Sequence, residues 1–205
     1  MESQRDITLL FLILFLGISA VLYYPEYQAQ NTRQSELAAV LAGADKPPAL
    51  GVRTRISGCV VEGALPDPAC SPGAIFDNVT PTQFCVPGYT KTVRNVSTSL
   101  KKEVYAEYGI PYPQPFGTYE VDHIIPLAMG GSNDIANLYP EAAAPPPGFR
   151  EKDLVEVYLQ GEICAGRVAT GVAQETIAKD WLSIYKNLSP ETTTRLKAKY
   201  TSWSN

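Results

Sequence analysis

Residues 119–141 read YEVDHIIPLAMGGSNDIANLYPE and contain His123, the only histidine of the chain. Tyr119, Val121 and the isoleucines after His123 favour a β-strand, and the glycines, Asn and Asp that follow allow the chain to reverse. The letters ANLYPE then supply a second strand, so the stretch predicts a β-hairpin. Because neighbours on a strand point to opposite faces, Asp122 and His123 can share a site only at a strand end or a bulge.

The composition indicates one globular domain with an appendage. The chain has 205 residues, of which 45% are hydrophobic and 19% are charged, and this length allows a sizeable buried core. The formal charge of −4 excludes a general basic field of the kind that attracts nucleic acid. A polyanionic partner would therefore have to meet a local basic patch.

The appendage is expected at the amino-terminal end. Residues 7–24, ITLLFLILFLGISAVLYY, form an uncharged run about as long as a bilayer-crossing helix, and a tyrosine pair ends it. A cleaved signal peptide is the alternative, although its apolar region is usually shorter and no good cleavage site follows. We therefore expect a membrane anchor at residues 1–24, a linker at 25–50 and a folded domain at 51–205.

Four cysteines, Cys59, Cys70, Cys85 and Cys164, make an even set without a CxxC pair. No histidine accompanies them, so the pattern favours disulfides in an oxidising compartment over a zinc site. Three pairings are possible, and the turn-rich segment LPDPACSPG favours Cys59 with Cys70, and Cys85 with Cys164. Buried free thiols are the alternative. With the apolar run, the cysteines predict a single-pass membrane protein whose domain is extracytoplasmic, in the periplasm or outside the cell.

Periodicity and turn residues divide the domain into a β-rich half and a helical half. Proline and glycine recur between short apolar segments over residues 53–96, which predicts short strands and tight turns. A helix is predicted after the N-cap Ser97 or Ser99, with Gly109 to stop it. Further helices are predicted at residues 148–166, at 171–187 and after the N-cap Ser189.

Polar residues around His123 have the chemistry of a hydrolytic site. Asn137 lies on the returning segment of the hairpin. The helix after it carries three more candidates, Lys152, Asp153 and Glu156, the two acids lying one helical turn apart. The set provides a base, carboxylates for a hard cation and an amide to orient the imidazole. A solvated helix face with Lys152 paired to Glu156 is the alternative interpretation.

The stretch resembles the core of the HNH endonuclease superfamily, in which a β-hairpin and a helix hold one divalent metal ion. It is especially similar to a bacterial HNH-like group with the pattern DHLIPLELGGSN…NLWPE. The similarity continues through LPDPACSPGAI, CVPGYTKTVRNV and YAEYGI before the stretch, and through KDLVEVYLQGEICAG and AQETIAKDWLSIY after it, so it covers about residues 55–186. The expected fold class is α+β: a small β-rich N-terminal half, an HNH-like β-hairpin plus metal helix, and C-terminal helices, preceded by one transmembrane helix.

The resemblance also implies a metal-dependent nuclease activity and a role for each site residue. His123 matches the general base that takes a proton from the water attacking a phosphodiester. Asp122 matches the first metal ligand, and Asn137 matches the residue that holds the hairpin and orients the histidine. An imidazole with an ordinary pKa of about 6.5 can act as a base near neutral pH.

The chain departs from the family at the third motif, where many relatives have a second histidine as a metal ligand. Glu156, or else Asp153, would take that place here, and Lys152 could hold a phosphate oxygen. Ligation by oxygen atoms alone favours Mg²⁺ or Mn²⁺ as the cofactor over Zn²⁺.

Basic residues near the motif supply candidate phosphate contacts: Lys91, Arg94, Lys101 and Arg150. No helix carries the cluster of Arg, Asn and Gln typical of base reading, so we expect cleavage of DNA or RNA without strong sequence preference, with DNA favoured over RNA as the substrate. The sequence indicates no protein partner. Two other classes remain open: a catalytically inactive extracytoplasmic binding or structural module on the same scaffold, and a glycosidase that uses Glu120 with Asp122 or Glu156.

Overall fold

The structure is a computed structural model that describes residues 24, 27–29, 31–32, 35 and 47–201. Between residues 47 and 201, a two-stranded sheet is embedded among helices. The elements in chain order are α1 Pro81–Phe84, α2 Tyr89–Val93, α3 Thr98–Glu107, β1 Tyr119–His123, β2 Leu138–Ala142, α4 Phe149–Cys164, α5 Thr170–Asn187 and α6 Pro190–Thr201. Short 3₁₀ turns at Leu127–Met129 and Ile135–Asn137 lie between the two strands.

Strands β1 and β2 form an antiparallel hairpin at the place where residues 119–141 predict one. In its register Asp122 lies opposite Tyr139, and His123 lies opposite Leu138. His123 is the last residue of β1. It therefore occupies a strand end, the position at which it can share a site with Asp122 despite the alternation of faces.

The predicted N-caps define the start of two helices. The hydroxyl oxygen of Ser97 accepts a hydrogen bond from the N–H of Leu100 at 3.2 Å, so Ser97 rather than Ser99 caps α3. The hydroxyl oxygen of Ser189 accepts one from the N–H of Thr192 at 3.1 Å, at the start of α6. These local bonds satisfy backbone donors that have no partner inside a helix.

The core lies between the hairpin and the long helices α4 and α5. Its fully buried side chains include Tyr139 of β2, Leu159 of α4 and Trp181 of α5. Burial of a large apolar side chain contributes about 1.5–3 kcal/mol to stability. Because these side chains share one cluster, α4 is held against the hairpin, and its polar residues are brought to His123.

The prediction that residues 53–96 form a β-rich N-terminal half is wrong. That range contains the short helices α1 and α2, and its β-structure is limited to the isolated bridges Glu62↔Leu65 and Ile75↔Gly131. Its recurring prolines lack the N–H that a strand ladder needs. The side chain of Asp67 instead accepts hydrogen bonds from the N–H of Val60 at 3.1 Å and of Ala69 at 2.9 Å.

The predicted fold class is also corrected in its first element, the transmembrane helix expected before the domain. In the described part of the chain, no helix combines the length and the apolar character that crossing a bilayer requires. The apolar run of residues 7–24, apart from Tyr24, and most of the predicted linker at 25–50 lie outside the described residues. The described chain is a mixed helix and strand fold without a transmembrane helix.

Two disulfides join distant parts of the chain. Cys59 pairs with Cys70 across a sequence separation of 11 residues, and Cys85 pairs with Cys164 across 79 residues. This is the pairing that the sequence favours, and it leaves none of the four cysteines free. Two disulfides indicate an oxidising environment, either extracellular or periplasmic.

Candidate functional site

A tight loop between the strands brings the chain back to His123. Gly130 has φ of +84°. At Gly131 a Cβ atom would lie 1.7 Å from the carbonyl oxygen of Ile125. Any other residue would be strained at the first position and would collide with backbone at the second. The Gly-Gly pair therefore permits the close approach that closes the loop.

Asn137 holds this loop from the inside. Its side chain is fully buried, and its Oδ1 accepts a hydrogen bond from the N–H of Ile125 at 2.9 Å. Its Nδ2 donates to the carbonyl oxygens of Ile125 at 2.9 Å and Ser132 at 2.8 Å. Asn137 thus holds the hairpin as expected, but its amide bonds to backbone groups and the orienting of the imidazole belongs to a different residue.

That residue is Asn133, which contacts the imidazole of His123. Its Nδ2 donates to the carbonyl oxygen of Val93 at 2.7 Å, and its Oδ1 accepts from the N–H of Asn95 at 3.1 Å. These two bonds define which end of the amide is oxygen. The same Oδ1 lies 3.2 Å from Nε2 of His123. Since this oxygen can only accept, Nε2 carries the proton, and Nδ1 of the neutral ring holds the free lone pair.

His123 is almost completely buried, with 2% of its surface exposed. Burial lowers the pKa of the imidazole, and the positive charges of Arg94 and Lys152 lower it further, while Asp122 and Asn133 act in the opposite direction. The net pKa is below the usual value for histidine. The ring is therefore neutral at pH 7, which is the state in which it can accept a proton.

Lys152 reaches from α4 towards the hairpin and is fully buried. Its Nζ donates to Oδ2 of Asp122 at 2.7 Å, to the carbonyl oxygen of His123 at 2.7 Å and to Oε1 of Glu156 at 2.5 Å. An ammonium group has three N–H donors, so these contacts use all of them. The expected contact between Lys152 and a phosphate oxygen stays a prediction, and it would require Nζ to give up one of these three partners. The pair with Glu156 exists, but inside the protein rather than on a solvated face.

Glu141 of β2 lies behind this cluster. Its carboxyl group is fully buried, and its Oε2 is 3.9 Å from Nζ of Lys152. Neither of its oxygens forms a hydrogen bond of good geometry among the described residues, although Tyr139 and Asp122 lie near enough to affect its pKa. Burial raises the pKa of Glu141 to about 9, although the charge of Lys152 acts in the opposite direction. Glu141 is therefore protonated at neutral pH.

The charges of the cluster depend on its central ammonium group. Burial raises the pKa of Asp122, but the charge and hydrogen bond of Lys152 outweigh it, so the net pKa is lowered. Burial raises the pKa of Glu156 to about 8, against the lowering effect of Lys152. Burial lowers the pKa of Lys152, yet the surrounding carboxylates raise it well above its usual value. The ammonium group of Lys152 therefore stays charged at neutral and moderately alkaline pH.

Oxygens of Asp122 and Glu156, two of the three residues expected to bind Mg²⁺ or Mn²⁺, converge on Nζ of Lys152 together with the carbonyl oxygen of His123. Their distances of 2.5–2.7 Å from Nζ are those of charge-assisted hydrogen bonds, whereas Mg²⁺ needs oxygen ligands at about 2.0–2.1 Å. Within the described residues, no group of three or more His, Cys, Asp or Glu side chains is arranged to hold a metal ion. An ammonium and a divalent ion would repel each other at such distances. The residues present therefore fit an ammonium group and not a divalent metal ion.

Asp153 is the other candidate ligand on α4. It is half-buried. Burial and the charge of Asp122 raise the pKa of Glu120, and the charge of Asp153 adds to them. Glu156 is the acid of α4 whose oxygen meets that of Asp122 at Nζ of Lys152, and which acid of the helix would bind a metal ion stays a prediction.

A cleft of about 1050 Å³ opens beside Asp122. Three of the four expected phosphate contacts line it, namely Arg94, Lys101 and Arg150, whereas Lys91 is not among its lining residues. Five aromatic residues also line it: Tyr105, Tyr112, Phe116, Tyr119 and Phe149. Glu120 and Glu151 give the cleft a mixed charge. Cationic groups suit phosphates, and aromatic faces suit bases.

Sequence reasoning missed two members of the site, Asn133 and Glu141. Asn133 is the last residue of the GGSN motif, but no function was predicted for it. Glu141 follows Tyr139 by two residues on β2, and strand alternation puts the two side chains on one face. Because Tyr139 belongs to the core, that alternation could have predicted a buried acid at Glu141.

The comparisons with known proteins add no assignment. No family model, no curated protein and no solved structure matches this chain. The functional interpretation therefore rests on the geometry around His123 and on the resemblance of residues 119–141 to the HNH pattern.

Proposed function

We propose that the protein hydrolyses phosphodiester bonds of nucleic acid, with His123 as the general base. The observation that carries this proposal is the orientation of the imidazole. The bond between Nε2 and Asn133 leaves Nδ1 as the proton acceptor, and the lowered pKa keeps the ring neutral. A neutral imidazole held in one tautomer is what removal of a proton from water requires.

In the proposed reaction, Nδ1 of His123 takes a proton from a water molecule as its oxygen forms a bond to phosphorus. The bond from phosphorus to the leaving oxygen breaks, and that oxygen takes a proton from solvent. Arg94 is close enough for its charge to lower the pKa of His123, and it lines the cleft. Its guanidinium group can therefore neutralise the charge that develops on the phosphate oxygens. No step is assigned to a metal ion, since Lys152 occupies the place where one would sit.

The proposed substrate is nucleic acid bound without strong sequence preference. Arg94, Lys101 and Arg150 share one cleft and would contact successive phosphates. Phe116 on the rim is fully exposed and offers a face on which a base can stack. A phosphate backbone and exposed bases are the chemistry that these groups recognise, and DNA is the first substrate to test.

The test is cleavage of fluorescent DNA and RNA oligonucleotides by the full-length protein and its variants. His123→Ala should lower the cleavage rate roughly a hundredfold or more, because a general base contributes about that much. Asn133→Ala should lower the rate less and broaden its pH profile, because the ring would lose its single tautomer. Arg94→Ala should weaken cleavage, whereas Lys91→Ala, an exposed basic residue outside the cleft, is the matched control. Unchanged cleavage by a folded His123→Ala protein would defeat the mechanism.

A second function is favoured by the burial of His123. With 2% of its surface exposed, the imidazole is poorly accessible to a substrate. The same cleft would then serve a binding module that holds nucleic acid without cutting it. Fluorescence anisotropy separates the two: binding that Arg94→Ala weakens and His123→Ala leaves unchanged, without any cleavage by the wild type, would replace the hydrolase with this module.

A further inference from the structure

The surroundings of Nζ of Lys152 form a cation site built from three elements. Asp122 and the carbonyl oxygen of His123 come from β1, and Glu156 comes from α4; their oxygens lie 2.5–2.7 Å from Nζ. Glu141 comes from β2, and its nearer oxygen is 3.9 Å away. We call the oxygens of these four residues the oxygen cage.

The oxygen cage contains more carboxyl groups than are needed to neutralise one ammonium group. Three carboxyl groups surround a single positive charge. The carboxyl group of Glu141 is fully buried and forms no hydrogen bond of good geometry within the described chain, although Tyr139 and Asp122 lie near enough to affect its pKa. A buried polar group without a partner is costly, so a simple structural ion pair does not explain why Glu141 is there. Once deprotonated, the three carboxyl groups, together with the carbonyl oxygen of His123, are ligands that a hard divalent cation prefers.

We propose that the side chain of Lys152 is a resident cation that takes the place of a divalent metal ion in this protein. The native protein then binds no divalent ion between Asp122 and Glu156. Removal of the ammonium group opens the oxygen cage to such an ion. Ca²⁺ fits the opened cage best, because its ligand distances of about 2.3–2.6 Å are nearest to the 2.5–2.7 Å now spanned from Nζ.

The inference does not depend on the proposed hydrolase activity, because it concerns ion binding and stability. The full-length wild type and Lys152→Ala are compared by thermal unfolding and by calorimetric titration with Ca²⁺ and Mn²⁺. Lys179→Ala is the matched control, since Lys179 pairs with Glu175 at the same i, i+4 spacing and at 2.5 Å, but with 62% of its side chain exposed.

The wild type and the control should show no saturable binding of Ca²⁺ or Mn²⁺ and no change of melting temperature with a chelator. Lys152→Ala should melt on the order of 10 °C lower without divalent ions, because buried carboxylates lose their counter-charge. Millimolar Ca²⁺ should restore a large part of this loss in Lys152→Ala and none in Lys179→Ala.

Two results would overturn the proposal. The first is saturable binding of Ca²⁺ or Mn²⁺ by the wild type that Glu156→Gln abolishes, because the oxygen cage would then hold a metal ion beside or instead of Nζ. The second is a folded Lys152→Ala protein that binds neither ion. If Lys152→Ala does not fold even with Ca²⁺, the titration of the wild type against Glu156→Gln decides the question alone.

Discussion

At the scale of single residues, Glu141 makes the stability of the protein depend on pH. Its pKa is raised to about 9 in the folded protein, whereas an unfolded chain has the ordinary value near 4.5. The folded state therefore binds the proton more tightly, and this contribution is fully present below pH 4.5 and is lost as the pH rises towards 9. In Glu141→Gln, the glutamine side chain has nearly the shape of the protonated glutamate but cannot ionise. We expect the variant to melt on the order of 10 °C above the wild type at pH 9, with little difference at pH 5.

Melting curves of both proteins from pH 5 to pH 9 measure this effect. Glu103→Gln, on the exposed side of α3, is the control and should leave the slope of the wild type unchanged. A Glu141→Gln protein whose melting temperature falls with pH as steeply as that of the wild type would show that Glu141 is ionised in the folded state.

At the scale of elements, the structure shows which of two serines caps α3, whereas the sequence allowed either one. Ser97 accepts the hydrogen bond from the N–H of Leu100, and Ser99 follows it inside the helix. Ser97→Ala should therefore lower the free energy of unfolding by about 1 kcal/mol. Ser99→Ala should cost only a few tenths of a kcal/mol or nothing, because alanine is a good helix former. Urea unfolding measures both, and an equal loss for the two variants would contradict the assignment of the cap.

The elements that the sequence predicted are those with local signals. Ser97 and Ser189 cap helices at the positions where the sequence placed caps, and the hairpin has the alternation and the glycines that its turn needs. Residues 53–96 lack such signals, and their prolines were interpreted as strand boundaries. In the structure the segment is tied to α4 by the disulfide between Cys85 and Cys164, and contacts of Asp67 hold its first part; no local pattern indicates either of these.

At the scale of the whole molecule, the two disulfides should differ in their contribution to stability. A chain-entropy treatment assigns about 4.5 kcal/mol to a bond that closes 79 residues and about 2.8 kcal/mol to one that closes 11 residues. Replacing Cys85 and Cys164 together by alanine should therefore lower the melting temperature about 5 °C more than replacing Cys59 and Cys70 together. Calorimetry of the two double variants gives the comparison.

The control for this experiment is alkylation of the native protein without reductant, which should label none of the four cysteines. The expectation fails if the Cys59 and Cys70 double variant melts at the lower temperature. That result would mean that the shorter bond is needed to hold residues 59–70 in their folded conformation, beyond its effect on the unfolded chain.

The sequence by itself determined the hairpin, the helices from Ser97 onward and the pairing of Cys59 with Cys70, which leaves Cys85 for Cys164. The physical reason is that the hairpin, the helices and the shorter disulfide depend on local chemistry. Alternation, turn glycines and N-caps act within a few residues, and a turn-rich segment brings neighbouring cysteines together.

Only the tertiary structure decided that Asn133 orients His123 and that Lys152 is buried against Asp122. These contacts join α4 and the hairpin loop to β1, and they depend on how the shared core sets the distances between those elements. Spacing along α4 shows that Lys152 and Glu156 lie on one face, but not whether that face meets water or the hairpin. The packing of α4 against β1 and β2 excludes water from this place. The buried ammonium group of Lys152 must therefore donate its hydrogen bonds to buried oxygen atoms.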